Sequence, residues 1–159
     1  MILAGDIGGT HARLAFFDAS NGQLKLVNEK AYPSRDYPGL GQIVSTFIDE
    51  KPGDVDAACF GIAGPVREGR AQVSNLPWGT VDSYRLAREI NIRSTFLIND
   101  LEASAWGLSV LNPADMVQLK EGSPNPMGNQ AVIAAGTGLG QAGRLWDGRH
   151  HQVDRKSVV

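Results

Sequence analysis

The spacing of apolar and polar residues predicts strands at the start of the chain. Residues 2–5 are a short apolar run, and residues 12–17 alternate in the way that a half-buried strand does. The pair Asn21-Gly22 favours a tight hairpin turn before a third extended segment at residues 23–32. The chain is therefore predicted to open with a three-stranded antiparallel meander.

A helical pattern follows the meander. Residues 80–90 predict a second helix, for which Asp82 or Ser83 is the expected cap, and residues 101–110 predict a third. The first helix is expected to end near the breaker pair Pro52-Gly53. Its apolar residues recur with the spacing of one helix face and are Leu40, Ile43, Val44, Phe47 and Ile48.

Two more strands separate these helices, at residues 56–63 and 95–98. The predicted order is β-β-β-α-β-α-β-α, which is typical of the mixed α/β class. Residues 113–128 are rich in Pro, Gly, Asn and Ser, so we expect them to connect two lobes before a new strand at residues 131–135. The predicted domains are a small α/β lobe at residues 1–110 and the start of a larger lobe at residues 111–153.

Composition and charge exclude several classes of function. The 159 residues are 42% hydrophobic and 20% charged, and no apolar run approaches the roughly 18 residues that span a bilayer. The net charge of −2 comes without a cluster of Lys or Arg, which argues against a nucleic-acid partner. The single cysteine, Cys59, cannot form an internal disulfide, and residues 1–10 lack the basic start of a secretory signal. We expect a globular cytoplasmic protein without a membrane partner.

A first glycine cluster lies between two predicted strands and therefore forms a hairpin turn. Paired glycines let backbone N–H groups approach phosphate oxygens, the threonine hydroxyl adds a donor, and the aspartate can hold Mg²⁺. A nucleotide phosphate site is one interpretation of this cluster, and a plain tight hairpin is the other. The residues are Gly5, Asp6, Ile7, Gly8, Gly9 and Thr10.

A second glycine cluster follows the strand predicted at residues 131–135 and includes Gly136, Thr137, Gly138, Gly140 and Gly143. The last three glycines have the spacing of a dinucleotide-binding fingerprint, but that motif needs a helix next and an acidic residue about 20 positions later. Residues 141–146 predict a strand instead. A second hairpin that holds phosphates is therefore favoured, and a structural glycine turn is its competitor.

Asn99 and Asp100 stand where a predicted strand meets a predicted helix, which is the usual place for ligands in α/β folds. An aspartate there can accept the proton of a hydroxyl during phosphoryl transfer, and Asn99 can hold a neighbouring hydroxyl. The alternative is an ordinary helix cap, which the helix dipole also favours. Asn75 borders a loop before the second helix and, taken by itself, is a turn residue.

In their order along the chain, the segments GDIGGT, SNLPW, IND and AGTGLG resemble bacterial glucokinases of the hexokinase and actin-like ATPase superfamily. The resemblance extends from residue 1 to about residue 151. It implies a ribonuclease-H-like fold in two lobes and the phosphorylation of glucose to glucose 6-phosphate, with ATP and Mg²⁺, as the first step of glycolysis. It further implies a homodimer when the protein is full length.

The resemblance also assigns roles to residues. Residues 5–10 and 136–138 become the two phosphate hairpins, Asp100 becomes the catalytic base for the sugar 6-hydroxyl, and Asn75 and Asn99 become sugar contacts. Family members carry a Glu-Gly-Gly-His sugar-binding segment and a further glutamate after the second hairpin, and this sequence has neither. We therefore expect a truncated, inactive fragment. Its residues 154–159 match one reading frame of a sequencing adapter and are expected to be a non-native tail.

Three other functions compete with this one. A kinase for another hexose is the nearest, because only half of a sugar pocket is present. A non-catalytic sugar or nucleotide sensor built on the same fold is the second. The third is a nicotinamide-dependent oxidoreductase, which would rest on Gly138, Gly140 and Gly143.

Overall fold

The computed structural model divides into two compact units, residues 1–100 and residues 101–159. It describes residues 1–20, 22–50, 54–123, 125–135 and 139–154, without the side chain of Asp154. Three predicted features lie outside the described residues: Asn21 of the first hairpin, the breaker pair Pro52-Gly53, and residues 136–138 of the second glycine cluster. Within the described ranges, no helix has the length and apolar character needed to cross a lipid bilayer.

The first unit is an α/β arrangement around a five-stranded sheet with the strand order β3-β2-β1-β4-β8. Strand β1 pairs antiparallel with β2 and parallel with β4, and β4 pairs parallel with β8. In chain order the unit contains β1 (Ile2–Ile7), β2 (His11–Asp18), β3 (Lys25–Pro33), α1 (Leu40–Glu50), β4 (Ala57–Ile62), β5 (Val66–Arg67), β6 (Arg70–Val73), β7 (Gly79–Asp82), α2 (Ser83–Glu89) and β8 (Ser94–Asn99).

The predicted meander of β1, β2 and β3 is confirmed, but the turn between β1 and β2 begins later than expected. Asp6 and Ile7 still belong to β1, where they pair with Arg13 and Ala12 of β2. Ile7 continues the apolar alternation of the strand and is buried, which favours extension of β1 to this residue. The turn itself is thereby reduced to residues 8–10.

The core of the first unit lies between α1 and one face of the sheet. The Phe47 ring of α1 stacks on Phe16 of β2 with the ring centroids 4.6 Å apart, and its centroid lies 6.3 Å from that of Tyr32 in an edge-on arrangement. Phe47 and Phe60 are fully buried. Burial of one such side chain contributes about 1.5–3 kcal/mol, so these contacts account for the position of α1 on the sheet.

A second, three-stranded sheet in this unit was not predicted. Its order is β5-β6-β7, and β7 contains Thr80 and Val81, which the sequence pattern had assigned to a helix. The helix α2 begins only at Ser83, because Asp82 caps it by accepting hydrogen bonds from the backbone N–H groups of Tyr84 and Arg85. Strands of two and four residues are too short to show a period of two in the sequence.

The second unit is formed by one helix and a three-stranded antiparallel sheet of order β11-β10-β9. Its elements are α3 (Asp100–Gly107), whose first residue closes the first unit, and then β9 (Gln130–Ala135), β10 (Leu139–Trp146) and β11 (His151–Asp154). Leu108–Val110 extends α3 by a 3-10 turn, so the helix predicted at residues 101–110 is present in two parts.

Two boundaries in the second unit differ from the expectation. The predicted lobes meet at residue 110, whereas the compact units meet at Asp100, because Leu101 packs on Gly140 of β10. Strand β11 was not predicted, and its last residue, Asp154, was assigned to the non-native tail. The backbone of Asp154 pairs with Gly143, while residues 155–159 lie outside the described chain.

Candidate active site

The parallel strands of the first unit end together at one edge of the sheet. Ile7 of β1 is level with Ile62 of β4, and Ile62 is level with Asn99 of β8. The residues that follow these strands therefore meet at the same edge, which in open α/β sheets is where ligands bind. They are the turn at residues 8–10, Gly64 and Asp100.

The turn at residues 8–10 is held by hydrogen bonds to its backbone. The Gly8 N–H donates to the carbonyl of His11 at 3.0 Å, which closes the hairpin. Ser34 then braces it twice, because its hydroxyl donates to the Gly8 carbonyl at 2.8 Å and its N–H donates to the Thr10 carbonyl at 3.0 Å. Sequence reasoning missed Ser34, since a single serine after a strand carries no signal for this role. A turn held in this way presents a fixed backbone to a ligand.

The glycines of this cluster are required for different reasons. A Cβ atom on Gly5 would lie 2.5 Å from Cδ1 of Phe60, so the core leaves no room for a side chain there. A Cβ atom on Gly9 would lie 3.4 Å from Cβ of Asn75, so the turn and Asn75 are neighbours. The structure therefore brings Asn75 to the turn at residues 8–10. The phosphate-binding roles of residues 5–10 and the sugar-binding role of Asn75 remain predictions.

Asp6 offers an exposed carboxylate next to the turn. Among the residues that the structure describes, it forms no ion pair, and no group of three or more His, Cys, Asp or Glu side chains is placed to hold a metal ion. Mg²⁺ in kinases is typically bound by one or two carboxylates together with substrate phosphates. A single exposed carboxylate beside a turn that is predicted to bind phosphate fits that kind of site.

Asn99 holds the carboxylate of Asp100 in place. The Asn99 side chain is 2% exposed, and its Nδ2 lies 2.8 Å from the Gly64 carbonyl, 3.3 Å from the Ile62 carbonyl and 2.6 Å from Oδ1 of Asp100. Gly64 has a φ of 119°, a backbone conformation that favours glycine and that presents its carbonyl to Asn99. The amide thus links the ends of β4 and β8 and orients Asp100 at the start of α3. A direct contact of Asn99 with sugar remains a prediction.

The second glycine cluster falls between and within two paired strands of the second unit. Strands β9 and β10 pair antiparallel from Ala135 and Leu139 outward, and Gly136, Thr137 and Gly138 between them lie outside the described residues. The segment after the cluster is the strand β10 and not a helix. A dinucleotide fingerprint needs a helix at that point, so the interpretation as a nicotinamide site is wrong.

Comparison with known proteins agrees with the mixed α/β fold. The family model Glucokinase matches residues 3–156. A glucokinase from Nostoc sp. is 40% identical over 156 residues, which cover 96% of this chain and 45% of that protein. The crystal structure of a glucokinase from an Antarctic psychrotroph is 27% identical, with a TM-score of 0.85 over 98% of this chain and 49% of the other.

A more distant structure shows the same fold. A ROK family glucokinase from Streptomyces griseus, solved in complex with glucose and AMPPNP, has a TM-score of 0.66 at 21% identity, over 98% of this chain and 46% of the other. The predicted ribonuclease-H-like, actin-like ATPase fold is confirmed. The chain spans about half the length of the relatives that it matches. Since the family model covers it from residue 3 to residue 156, this chain belongs to the glucokinase family.

Proposed function

We propose that the complete protein carrying this sequence transfers the terminal phosphoryl group of ATP to the 6-hydroxyl of glucose. The observation that carries the proposal is the carboxylate of Asp100, held by Asn99 at the sheet edge where the braced glycine turn also ends. Membership in the glucokinase family supports the same reaction. Glucose and an ATP analogue are bound by the Streptomyces griseus relative, which supports these two ligands.

In this reaction Asp100 acts as the general base. Its carboxylate accepts the proton of the sugar 6-hydroxyl while the hydroxyl oxygen forms a bond to the γ-phosphorus and the bond to the leaving ADP oxygen breaks. The contact at 2.6 Å with Nδ2 of Asn99 restricts the rotation of the carboxylate. A base held in one orientation lowers the entropic cost of reaching the transition state.

The turn at residues 8–10 receives the phosphates of ATP. Its backbone is fixed by Ser34, and its glycines allow close approach of N–H groups to phosphate oxygens. Mg²⁺ bound with ATP neutralises charge that develops on the transferred group, and Asp6 is the carboxylate that would hold it. Gly136, Thr137 and Gly138 complete the phosphate site in this proposal.

Related functions are the alternatives. A kinase for another hexose uses the same base and turns, and it differs only in its sugar contacts. A non-catalytic sensor does not need an oriented carboxylate, so the Asn99–Asp100 contact favours an enzyme. Our proposal includes a cytoplasmic homodimer for the complete protein. It also includes an inactive state for the 159-residue chain alone.

The test uses a completed chain, defined as residues 1–153 joined to the C-terminal half of the Nostoc sp. glucokinase. Asp100→Asn removes the base and keeps the size of the side chain, so we expect kcat for glucose to fall at least ~10²-fold with little change in ATP binding. Asp82→Asn is the matched control, because Asp82 also stands at the start of a helix but belongs to the sheet of β5, β6 and β7. Near-normal turnover of Asp100→Asn would leave Asp100 with only a structural role at the start of α3. Preference for another hexose would favour the first alternative.

A further inference from the structure

Arg144 of β10 is a buried arginine to which the reaction above gives no role. It is 6% exposed, its Nη1 donates to Oε1 of Gln130 at 2.8 Å, and its Nη2 donates to the hydroxyl of Ser109. Its Nε has no hydrogen-bond partner among the described residues. In the described part of the chain, no carboxylate lies within ion-pair distance of this guanidinium. A positive charge is therefore buried among neutral groups.

Stability of the fold does not explain this arginine. Burial of a charge without an opposite charge is unfavourable, and replacement of a buried ion by an apolar side chain of similar volume is often neutral or stabilising. What the guanidinium provides is a connection between elements. It joins β10, the first residue of β9 and the 3-10 turn that extends α3, all within the second unit.

The other end of α3 is held by packing on the same strand. A Cβ atom on Gly140 of β10 would lie 2.9 Å from Cγ and Cδ2 of Leu101, so this leucine rests directly on the glycine backbone. Leu101 is the second residue of α3, and Ser109 lies two residues beyond its end. The helix is thus fixed to β10 at both ends, by an apolar contact at Leu101 and by hydrogen bonds at Ser109.

We propose that Arg144 is a positioning residue for Asp100. Asp100 is the first residue of α3, and a helix of this length is a rod of about 12 Å. Release of its far end at Ser109 lets the helix tilt about Leu101, and this tilt changes the direction in which the side chain of its first residue, Asp100, points. The clamp of Arg144, Gln130 and Ser109 therefore sets the direction of α3 and, with it, the orientation of the base. This inference rests on the proposed function, because it assumes that Asp100 is the base.

The first measurement does not depend on activity. Hydrogen exchange of the backbone amides of residues 101–107 is compared between the 159-residue chain and its variant Arg144→Met, which keeps much of the side-chain volume and removes the hydrogen bonds. We expect exchange in α3 to become about 10-fold faster or more, while the amides of β1 and β4 are unchanged. Arg149→Met is the matched control, since Arg149 is an exposed arginine in the adjacent turn. Unchanged exchange in α3 would overturn the clamp.

The second measurement is the kinetics of the completed chain. We expect Arg144→Met to lower kcat by about 10- to 100-fold, as displacement of a reacting group does, with the KM values for glucose and ATP within about twofold. Arg144→Lys keeps the positive charge but has one donor nitrogen in place of three, and its kcat is expected to lie between those of Arg144→Met and the unmodified sequence. A purely structural role predicts no loss of kcat in the folded variant, so an unchanged kcat overturns the proposal.

Ser109→Ala tests the positioning role of the clamp if Arg144→Met does not fold. It removes one exposed hydroxyl and leaves the arginine in place. We expect the same direction of change in kcat with a smaller amplitude, and an unchanged kcat would again contradict the proposal. A completed chain of unmodified sequence that phosphorylates no hexose would refute the proposed function instead, and the exchange measurement would still decide whether the clamp exists.

Discussion

The sheets of the two units have similar apolar strands but differ in what covers them. In the first unit α1 packs on the five-stranded sheet, and side chains such as Leu14 and Phe60 are fully buried. In the second unit, alternate residues of β9 and β10 form an exposed surface that is mainly apolar, with Gln141 opposite Ile133 as its polar residue. We call this surface the open face; its large residues are Ile133 (69% exposed), Leu139 (61%) and Leu145 (45%), and Ala131 and Ala135 complete it.

This difference shows that an alternating apolar pattern predicts a covered face without saying which segment covers it. The opposite face of the same sheet contains Ala142 and Arg144, which are buried, so one face of β10 is covered and the other is exposed. Exposed apolar surfaces of this kind mark sites of protein contact. We expect the open face to be covered in the complete protein.

The largest expected effect is on the free energy of unfolding, and it distinguishes a core residue from a residue of the open face. Phe60→Ala should lower the free energy of unfolding by about 3–5 kcal/mol, because it leaves a cavity among fully buried side chains. Ile133→Ala should change it by less than about 0.5 kcal/mol, because its side chain already contacts water. Urea unfolding of both variants measures the difference. A cost of several kcal/mol for Ile133→Ala would mean that the open face is covered in this chain.

The next effect concerns association through the open face. We expect the 159-residue chain to self-associate, because Ile133, Leu139 and Leu145 expose large apolar side chains on one face of the sheet. The double substitution Ile133→Lys with Leu139→Lys should weaken that association about 100-fold, since each buried apolar side chain contributes more than about 1 kcal/mol. Sedimentation velocity gives the dissociation constants. The matched control is Leu26→Lys with Val27→Lys on the exposed edge strand β3, and an equal effect of this pair would locate the association elsewhere.

Gly5→Ala tests the packing of the covered sheet by overfilling it. The added Cβ atom would lie 2.5 Å from Phe60 and 2.9 Å from Leu14, so we expect a loss of about 1–3 kcal/mol in the free energy of unfolding. Gly39→Ala is the control, because nothing lies within 4 Å of its Cβ position. Thermal unfolding followed by circular dichroism measures both. Equal stability of the two variants would show that the core tolerates a side chain at residue 5.

The smallest expected effect is on the pKa of one aspartate in each unit. The Arg70 guanidinium and the N–H groups of Arg85 and Tyr84 hold the pKa of Asp82 below its ordinary value of 3.8. The N–H groups of His150 and Arg149, helped by the Gln152 side chain, lower the pKa of Asp147 from 3.8 to about 2. Both carboxyl groups have a lower pKa in the folded state than in the unfolded state. Each carboxylate therefore stabilises the folded state fully above pH 3.8, and this stabilisation is lost as the pH falls through the folded pKa.

Salt should separate these two aspartates. The shift in the pKa of Asp82 depends first on an exposed charged partner, which salt screens, whereas that of Asp147 comes mainly from backbone hydrogen bonds. With about 0.5 M NaCl we expect the pKa of Asp82 to rise and that of Asp147 to stay nearly constant. Carboxyl ¹³C chemical shifts follow both titrations in one sample. Equal movement of the two pKa values would refute the assigned causes.

The sequence predicts the parts of the molecule that depend on neighbours along the chain. The meander, α1 and the placement of Asn99 and Asp100 between a strand and a helix follow from period, turn residues and caps. Ser34 and Arg144 could not be found in this way, because their partners are distant in sequence. Ser34 bonds to Gly8 and Thr10, which are 26 and 24 residues away. Arg144 bonds to Gln130 and Ser109, which are 14 and 35 residues away. The small sheet of β5, β6 and β7 was missed because its strands are too short to show alternation.

The most direct test of the proposed function is turnover by the incomplete and the completed chain. Phosphoryl transfer depends on positioning and charge stabilisation around both ATP and sugar. We therefore expect no ATP-dependent formation of glucose 6-phosphate by the purified 159-residue chain, and clear formation by the completed chain under the same conditions. Circular dichroism and size exclusion establish that the 159-residue chain is folded. Measurable turnover by its folded monomer would contradict the need for the missing half.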